Sequence, residues 1–134
     1  MDAELIRQFM KRDKFAEFSG IELLEVGPGR AKARLAVGEQ HLNGVGLVHG
    51  GAIFTLAHLA FAAACNSHGT IAVAINASIS FINAARGGTL VAEAGEVAVN
   101  PKLGTYRVIV RNEDGGIVAS FEGMAYRKKD SIPV

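Results

Sequence analysis

The 134-residue chain has one cysteine, Cys65, so no internal disulfide can form, and no residues have the spacing of a CxxC pair or a zinc-ligand cluster. That usage fits a reducing compartment, and a cytoplasmic location is expected. Neither sign of charge dominates, because 14 Lys and Arg stand against 13 Asp and Glu. The resulting net charge of +1 gives no basic surface for nucleic acid or an anionic membrane. The first residues lack the apolar run of a secretory signal, since Asp2, Glu4, Arg7, Lys11, Arg12, Asp13, Lys14 and Glu17 are spread through them. A membrane-spanning run of about 20 apolar residues is missing too. The uncharged stretch from Leu42 to Cys65 is interrupted by Asn43, His49, His58 and glycines, so a helix buried inside a globular protein is preferred. No linker or internal repeat divides the chain, and one domain over residues 1–134 is expected, large enough to bury a core without disulfides or a structural metal, and no cofactor is expected.

Apolar residues Leu5, Ile6, Phe9, Met10 and Phe15 recur at near-helical spacing, which predicts one amphipathic helix within residues 1–18. Ile21–Val26 and Ala31–Val37 then form a hairpin turned at Gly27-Pro28-Gly29. His41–Gly51 is a glycine-rich loop. From Gly51 to Asn66 nearly every residue is apolar, which predicts a helix enclosed on all sides. Beyond Gly69 the period becomes two: Ile75, Ala77, Ile79 and Phe81 alternate with Asn76, Ser78 and Ser80. Leu90–Val99, Thr105–Asn112 and Ile117–Arg127 follow as strands between turn signals, and residues 128–134 read as a flexible tail. The fold class is α+β, an antiparallel sheet of five or six strands around one long helix, with an N-terminal amphipathic helix.

The chemistry concentrates where His49-Gly50-Gly51 enters the long helix. A helix start leaves free N–H groups and a partial positive charge, which suit a carbonyl oxygen becoming an oxyanion. Glycine at 50 and 51 removes the Cβ that would keep a ligand off the main chain. A tight loop-to-helix turn explains the same two glycines equally well.

His41-Leu42-Asn43-Gly44-Val45-Gly46-Leu47-Val48-His49-Gly50-Gly51-Ala52-Ile53-Phe54-Thr55-Leu56-Ala57, followed by Ala60-Phe61-Ala62-Ala63-Ala64-Cys65-Asn66-Ser67, resembles the PaaI-like acyl-CoA thioesterases of the hotdog superfamily. The likeness continues in Ser80-Phe81-Ile82-Asn83-Ala84-Ala85-Arg86-Gly87-Gly88 and in Gly115-Gly116-Ile117-Val118-Ala119. The resemblance implies a homodimer joined edge to edge, often paired into a homotetramer, with an acyl-CoA thioester at the seam. It further implies that Asn43 hydrogen-bonds near the substrate carbonyl, that His49 shapes the loop, and that the Gly50 amide polarises the carbonyl. Gly51, Thr55, Asn76 and Arg86 are candidate substrate contacts, Asn76 from the partner subunit and Arg86 toward the phosphates of coenzyme A; an exposed sheet face explains Asn76 equally well.

The family's catalytic carboxylate falls one residue after the position of Ala57, where this chain has His58, and no Asp or Glu occurs between Gln40 and Gly69. An imidazole can act as a general base toward water, so the implied chemistry is hydrolysis of a small or aromatic acyl-CoA with His58 as base. A histidine on an apolar helix is also commonly a packed or interfacial residue. The alternative is a degenerate acyl-CoA binding protein that does not hydrolyse. A hydratase of the same fold would need an Asp beside the His. Thr55 can bond His58, the ligand or its own helix. His41, His49, His58 and His68 have no metal-ligand spacing, so no metal site is expected. Cys65 reads as packing.

Overall fold

The computed structural model describes residues 1–133. The chain runs α1 (Ala3–Met10), α2 (Lys14–Phe18), β1 (Ile21–Gly27), β2 (Arg30–Ala36), a 3-10 turn at Glu39–His41, α3 (Gly50–Asn66), β3 (Thr70–Phe81), β4 (Thr89–Val99), β5 (Leu103–Arg111) and β6 (Ile117–Ser131). All six strands join in one sheet in the order β1-β2-β4-β5-β6-β3, each pair antiparallel. The sheet curls around α3, which is the hotdog arrangement that the resemblance implies.

The turn chemistry sets the hairpins. Between β1 and β2, Pro28 and Gly29 form a two-residue connection, and Gly29 has a φ of +70°, which a side chain would strain. Between β5 and β6, Gly115 takes a φ of +87° while Asn112 Oδ1 accepts from the Gly116 N–H.

Residues 1–18 form two helices, not one. Asp2 Oδ1 accepts from the Leu5 N–H to cap α1, and Asp13 Oδ1 accepts from the Ala16 N–H to start α2. The second cap turns the chain at Lys11–Asp13 against the side of α3 and β1. The carboxy-terminal stretch also differs from the expected flexible tail. β3 begins at Thr70, which gives β6 a partner as far as Ser131. Ile132 then buries its side chain to 4 % exposure, and its N–H donates to Gly69 O. Val134 lies outside the described residues.

The core is formed by Ile53, Leu56, Ala57, Ala60, Phe61, Ala63 and Ala64 of α3 against the inward residues Leu35, Leu90, Ala92, Val108, Val110 and Phe121 of the sheet. Gly123 lets the sheet close on the helix, because a Cβ there would stand 2.8 Å from the Phe61 ring. Asn66 clamps the far end of α3 to β3: its Oδ1 accepts from the Ala72 N–H and its Nδ2 donates to Ala72 O. The helix is not enclosed all round, however. Phe54, Thr55, His58 and Ala62, at helical spacing, stay partly exposed along one stripe. Alanine carries no polarity that would mark such a stripe in the sequence.

Candidate active site

The loop before α3 is built to present Gly50. Leu42 and Val48 form an antiparallel bridge, the His49 N–H donates to His41 O at 2.7 Å, and the Asn43 N–H donates to Leu47 O at 2.7 Å. Val48 N–H donates to Ala85 O, which ties this loop to the one that follows β3. The base of the loop is held by His41, only 6 % exposed. Its Nδ1 accepts from the Gly38 N–H at 2.8 Å, which places the ring proton on Nε2, 2.7 Å from Ser19 O as acceptor. Sequence reasoning missed this anchor, because a loop histidine looks the same whether bonded or solvated. Replacing His41 with alanine leaves a part-buried N–H and a part-buried carbonyl without their partner. A loss of about 2 to 3 kcal/mol is expected in denaturant unfolding; a change within about 0.5 kcal/mol, the scale of an ordinary surface substitution, would contradict the anchoring role.

At the helix start, His49 is the N-cap and its Nδ1 accepts from the Gly51 N–H at 2.8 Å. The Ala52 and Ile53 N–H groups donate to His49 O. Among the described residues nothing accepts from the N–H of Gly50, so the cap satisfies its neighbours and leaves that one amide available. The ring of Phe81, at the end of β3, lies against Gly50: a Cβ on that glycine would be 3.1 Å from Cζ. The sequence signal for Phe81 was its place as the last apolar residue of the β3 alternation, but nothing in the pattern tied it to Gly50.

The other expected residues fall into separate places. Asn43 Oδ1 accepts from the Val45 and Leu47 N–H groups, so its carbonyl shapes the loop and its NH2 is what remains for a ligand. Thr55 Oγ1 donates to Gly51 O at 2.7 Å, back onto its own helix. Arg86 is exposed in the loop that Ala85 joins to Val48. Asn76 is not beside Gly50. Ala77 pairs with Gly123, whose missing Cβ faces Phe61, so alternation turns Asn76 and Ser78 to the opposite, outward face. There they line a cleft of about 480 Å³ with Arg107, Glu122 and Met124. Among the described residues no three of His, Cys, Asp and Glu are grouped to hold a metal ion.

His58 lies on the half-exposed stripe of α3, between the ring of Phe54, stacked at 6.1 Å, and that of Phe61, edge-on at 5.7 Å. Burial among these rings lowers its pKa below the ordinary 6.5, partly offset by the charge of Asp13. The resting ring is therefore the uncharged, basic form at neutral pH. Cys65, by contrast, is pushed up to about 12 by burial, which keeps it a thiol at neutral pH and fits a packing role.

Residues 45–119 match the family model described as the thioesterase superfamily. The chain belongs to the thioesterase superfamily. Within it, the chain is PaaI-like. The acyl-coenzyme A thioesterase PaaI of Escherichia coli is 36 % identical over 118 residues, which span 87 % of this chain and 84 % of that protein. The solved E. coli PaaI structure gives a TM-score of 0.91 at 33 % identity and covers 98 % of this chain and 99 % of that one. A protein of Archaeoglobus fulgidus described as an inferred esterase is 42 % identical over 132 residues, 97 % of this chain and 86 % of its own length. The structure of a point mutant of the phenylacetic acid degradation protein PaaI from Thermus thermophilus gives a TM-score of 0.83 at 37 % identity, over 87 % of this chain and all of that one. In this chain the thioesterase fold carries the His49 cap, the Gly50 amide and the central helix together. None of its helices is long and apolar enough to cross a membrane, among the described residues.

Proposed function

We propose that the protein hydrolyses acyl-CoA thioesters, with the Gly50 amide holding the carbonyl oxygen and His58 acting as base toward water. The observation that carries this reading is the Gly50 N–H, left without a partner by a cap that satisfies its neighbours. In the reaction the oxygen of water attacks the thioester carbon while an imidazole nitrogen of His58 takes the proton. The carbonyl oxygen becomes an oxyanion accepting from the Gly50 N–H, with the Asn43 NH2 as a second donor. Collapse breaks the carbon–sulfur bond, and the leaving thiolate of coenzyme A takes the proton back from His58. The products are a carboxylic acid and free coenzyme A.

Gly50 and His58 are eight residues apart on one helix, about 12 Å along its axis, too far to serve one carbonyl. A second copy would complete the site. β3 is an edge strand, with exposed Val73 and Ile75 along it and Ile82 just beyond, and the α3 stripe beside it is half-exposed. Pairing of two β3 edges would cover this surface and bring the helix start of one protomer toward the imidazole of the other. Arg86, in the loop bonded to Val48, is placed to meet a phosphate of coenzyme A at the mouth of such a site. Small or aromatic acyl groups fit the ring-lined stripe of Phe54 and His58.

The test is thiol release from a panel of acyl-CoA esters, together with sedimentation of the protein. Turnover by a species of at least two chains is expected. A monomer that turns over at full rate would contradict the shared site. The second reading, binding without hydrolysis, draws on one observation: among the described residues no hydrogen bond orients the His58 ring, which stands beside the rings of Phe54 and Phe61. It expects saturable binding of the esters with no thiol released.

A further inference from the structure

Phe81 is held firmly yet half of it is bare. Its backbone pairs with Ala119, the Ile82 and Asn83 N–H groups both donate to Val118 O, and Asn83 Nδ2 donates to Ile117 O at 2.8 Å. These bonds fix where the strand ends and therefore where the ring begins. One edge of the ring meets Gly50, with Cζ 3.1 Å and Cε1 3.3 Å from where a Cβ would be. The rest is open, for the residue is 55 % exposed although it lies on the inward side of β3. Apart from its edge on Gly50, the ring lies outside the packed core of the chain.

A carbonyl oxygen bonded to the Gly50 N–H sits about 3 Å from that nitrogen, so the substituents on its carbon fall within contact range of the ring. Resting on the hydrolase reading above, we infer that Phe81 is a substrate-contacting specificity residue, the wall that limits the bulk of the acyl group next to the thioester carbonyl. The same ring keeps water off the amide, which strengthens its bond to a developing oxyanion. Both effects are local to the carbonyl, so the wall discriminates branching at the α-carbon and is insensitive to the far end of the acyl chain.

The test compares butyryl-CoA with isobutyryl-CoA, equal in carbon number and different in bulk beside the carbonyl, for wild type, Phe81→Leu and Phe81→Ala. In the alanine variant the ratio of kcat/KM for the branched over the straight ester is expected to rise about tenfold or more, the scale of a branch admitted to an apolar pocket. The leucine variant should fall between. The ratio is taken within each preparation, so a loss of folded protein or of subunit pairing does not move it. A wild type that turns over butyryl-CoA, with the same ratio in Phe81→Ala, overturns the wall and leaves the hydrolase reading standing. If wild type releases no thiol from either ester, the hydrolase reading fails instead. Calorimetric binding of the two intact esters then decides the wall: a shifted affinity ratio in Phe81→Ala supports it and an unshifted one overturns it.

Discussion

Substituting His58 with alanine is expected to lower kcat for thiol release by about 10² to 10⁴, the range for removing a positioned general base. Because desolvation by the neighbouring rings holds the imidazole below 6.5, kcat/KM of the wild type should be flat through neutral pH and fall only on the acid side of that value. The sign also reaches stability. A folded-state pKa below the unfolded one means that the unfolded chain binds the proton more readily, so this contribution is fully present above about 6.5 and stability declines as the pH falls through that value toward the lower folded-state pKa. His58→Asp places a carboxylate where the PaaI-like pattern has one. It is expected to keep turnover while moving the acid limb down toward the carboxylate range. Retention of full activity in His58→Ala, with the acid limb unchanged, would remove the imidazole from the chemistry and leave only the oxyanion donors, the Gly50 amide and the Asn43 NH2.

The parts of the structure legible in the sequence were those where one residue type has one physical use. Pro28-Gly29 and the Asn112–Gly116 turn announced their hairpins because few residues take a positive φ or preset a negative one. The long apolar run, interrupted too often for a membrane span, read as the central helix, and His49-Gly50-Gly51 marked its start within one residue of where α3 begins. What escaped was decided by partners distant in sequence. Asp13 caps α2 because the chain must turn against α3, and nothing in residues 1–18 alone requires that break. Lys128–Ser131 are charged and polar, so they looked like a tail; they are a strand because β3 starts early enough to pair with them. A register irregularity between Ala74 and Asn76 interrupts the alternation at Ile75, and the seryl and asparaginyl side chains of β3 therefore face outward with Arg107 and Glu122.

The candidate site divides in the same way. The availability of the Gly50 amide followed from local rules, a helix start with a side-chain cap one residue before it. Thr55 had His58, a ligand or its own helix as possible partners and Asn43 was expected near a ligand; the Thr55 hydroxyl and the Asn43 carbonyl oxygen are each engaged by nearby backbone, a choice that depends on rotamer and not on composition. The anchoring of the loop by His41 and the ring of Phe81 over Gly50 join segments 22 and 31 residues apart, as His41–Ser19 and Gly50–Phe81, and no spacing rule reaches that far.

The Gly50 amide can be deleted without dismantling the helix that carries it. Gly50 is the first residue of α3, where proline is well tolerated, and His49 before it has φ −62° and ψ 136°, the extended conformation that a following proline requires. The decisive measurement is kcat/KM for acyl-CoA hydrolysis in Gly50→Pro beside Gly50→Ala. The alanine variant keeps the N–H and adds the same Cβ next to Phe81, so it reports crowding alone. The expected result is a further loss of about 10² to 10³ in the proline variant, the effect of removing one oxyanion donor, with unfolding midpoints that match. Equal activity of the two variants would contradict the role assigned to the amide.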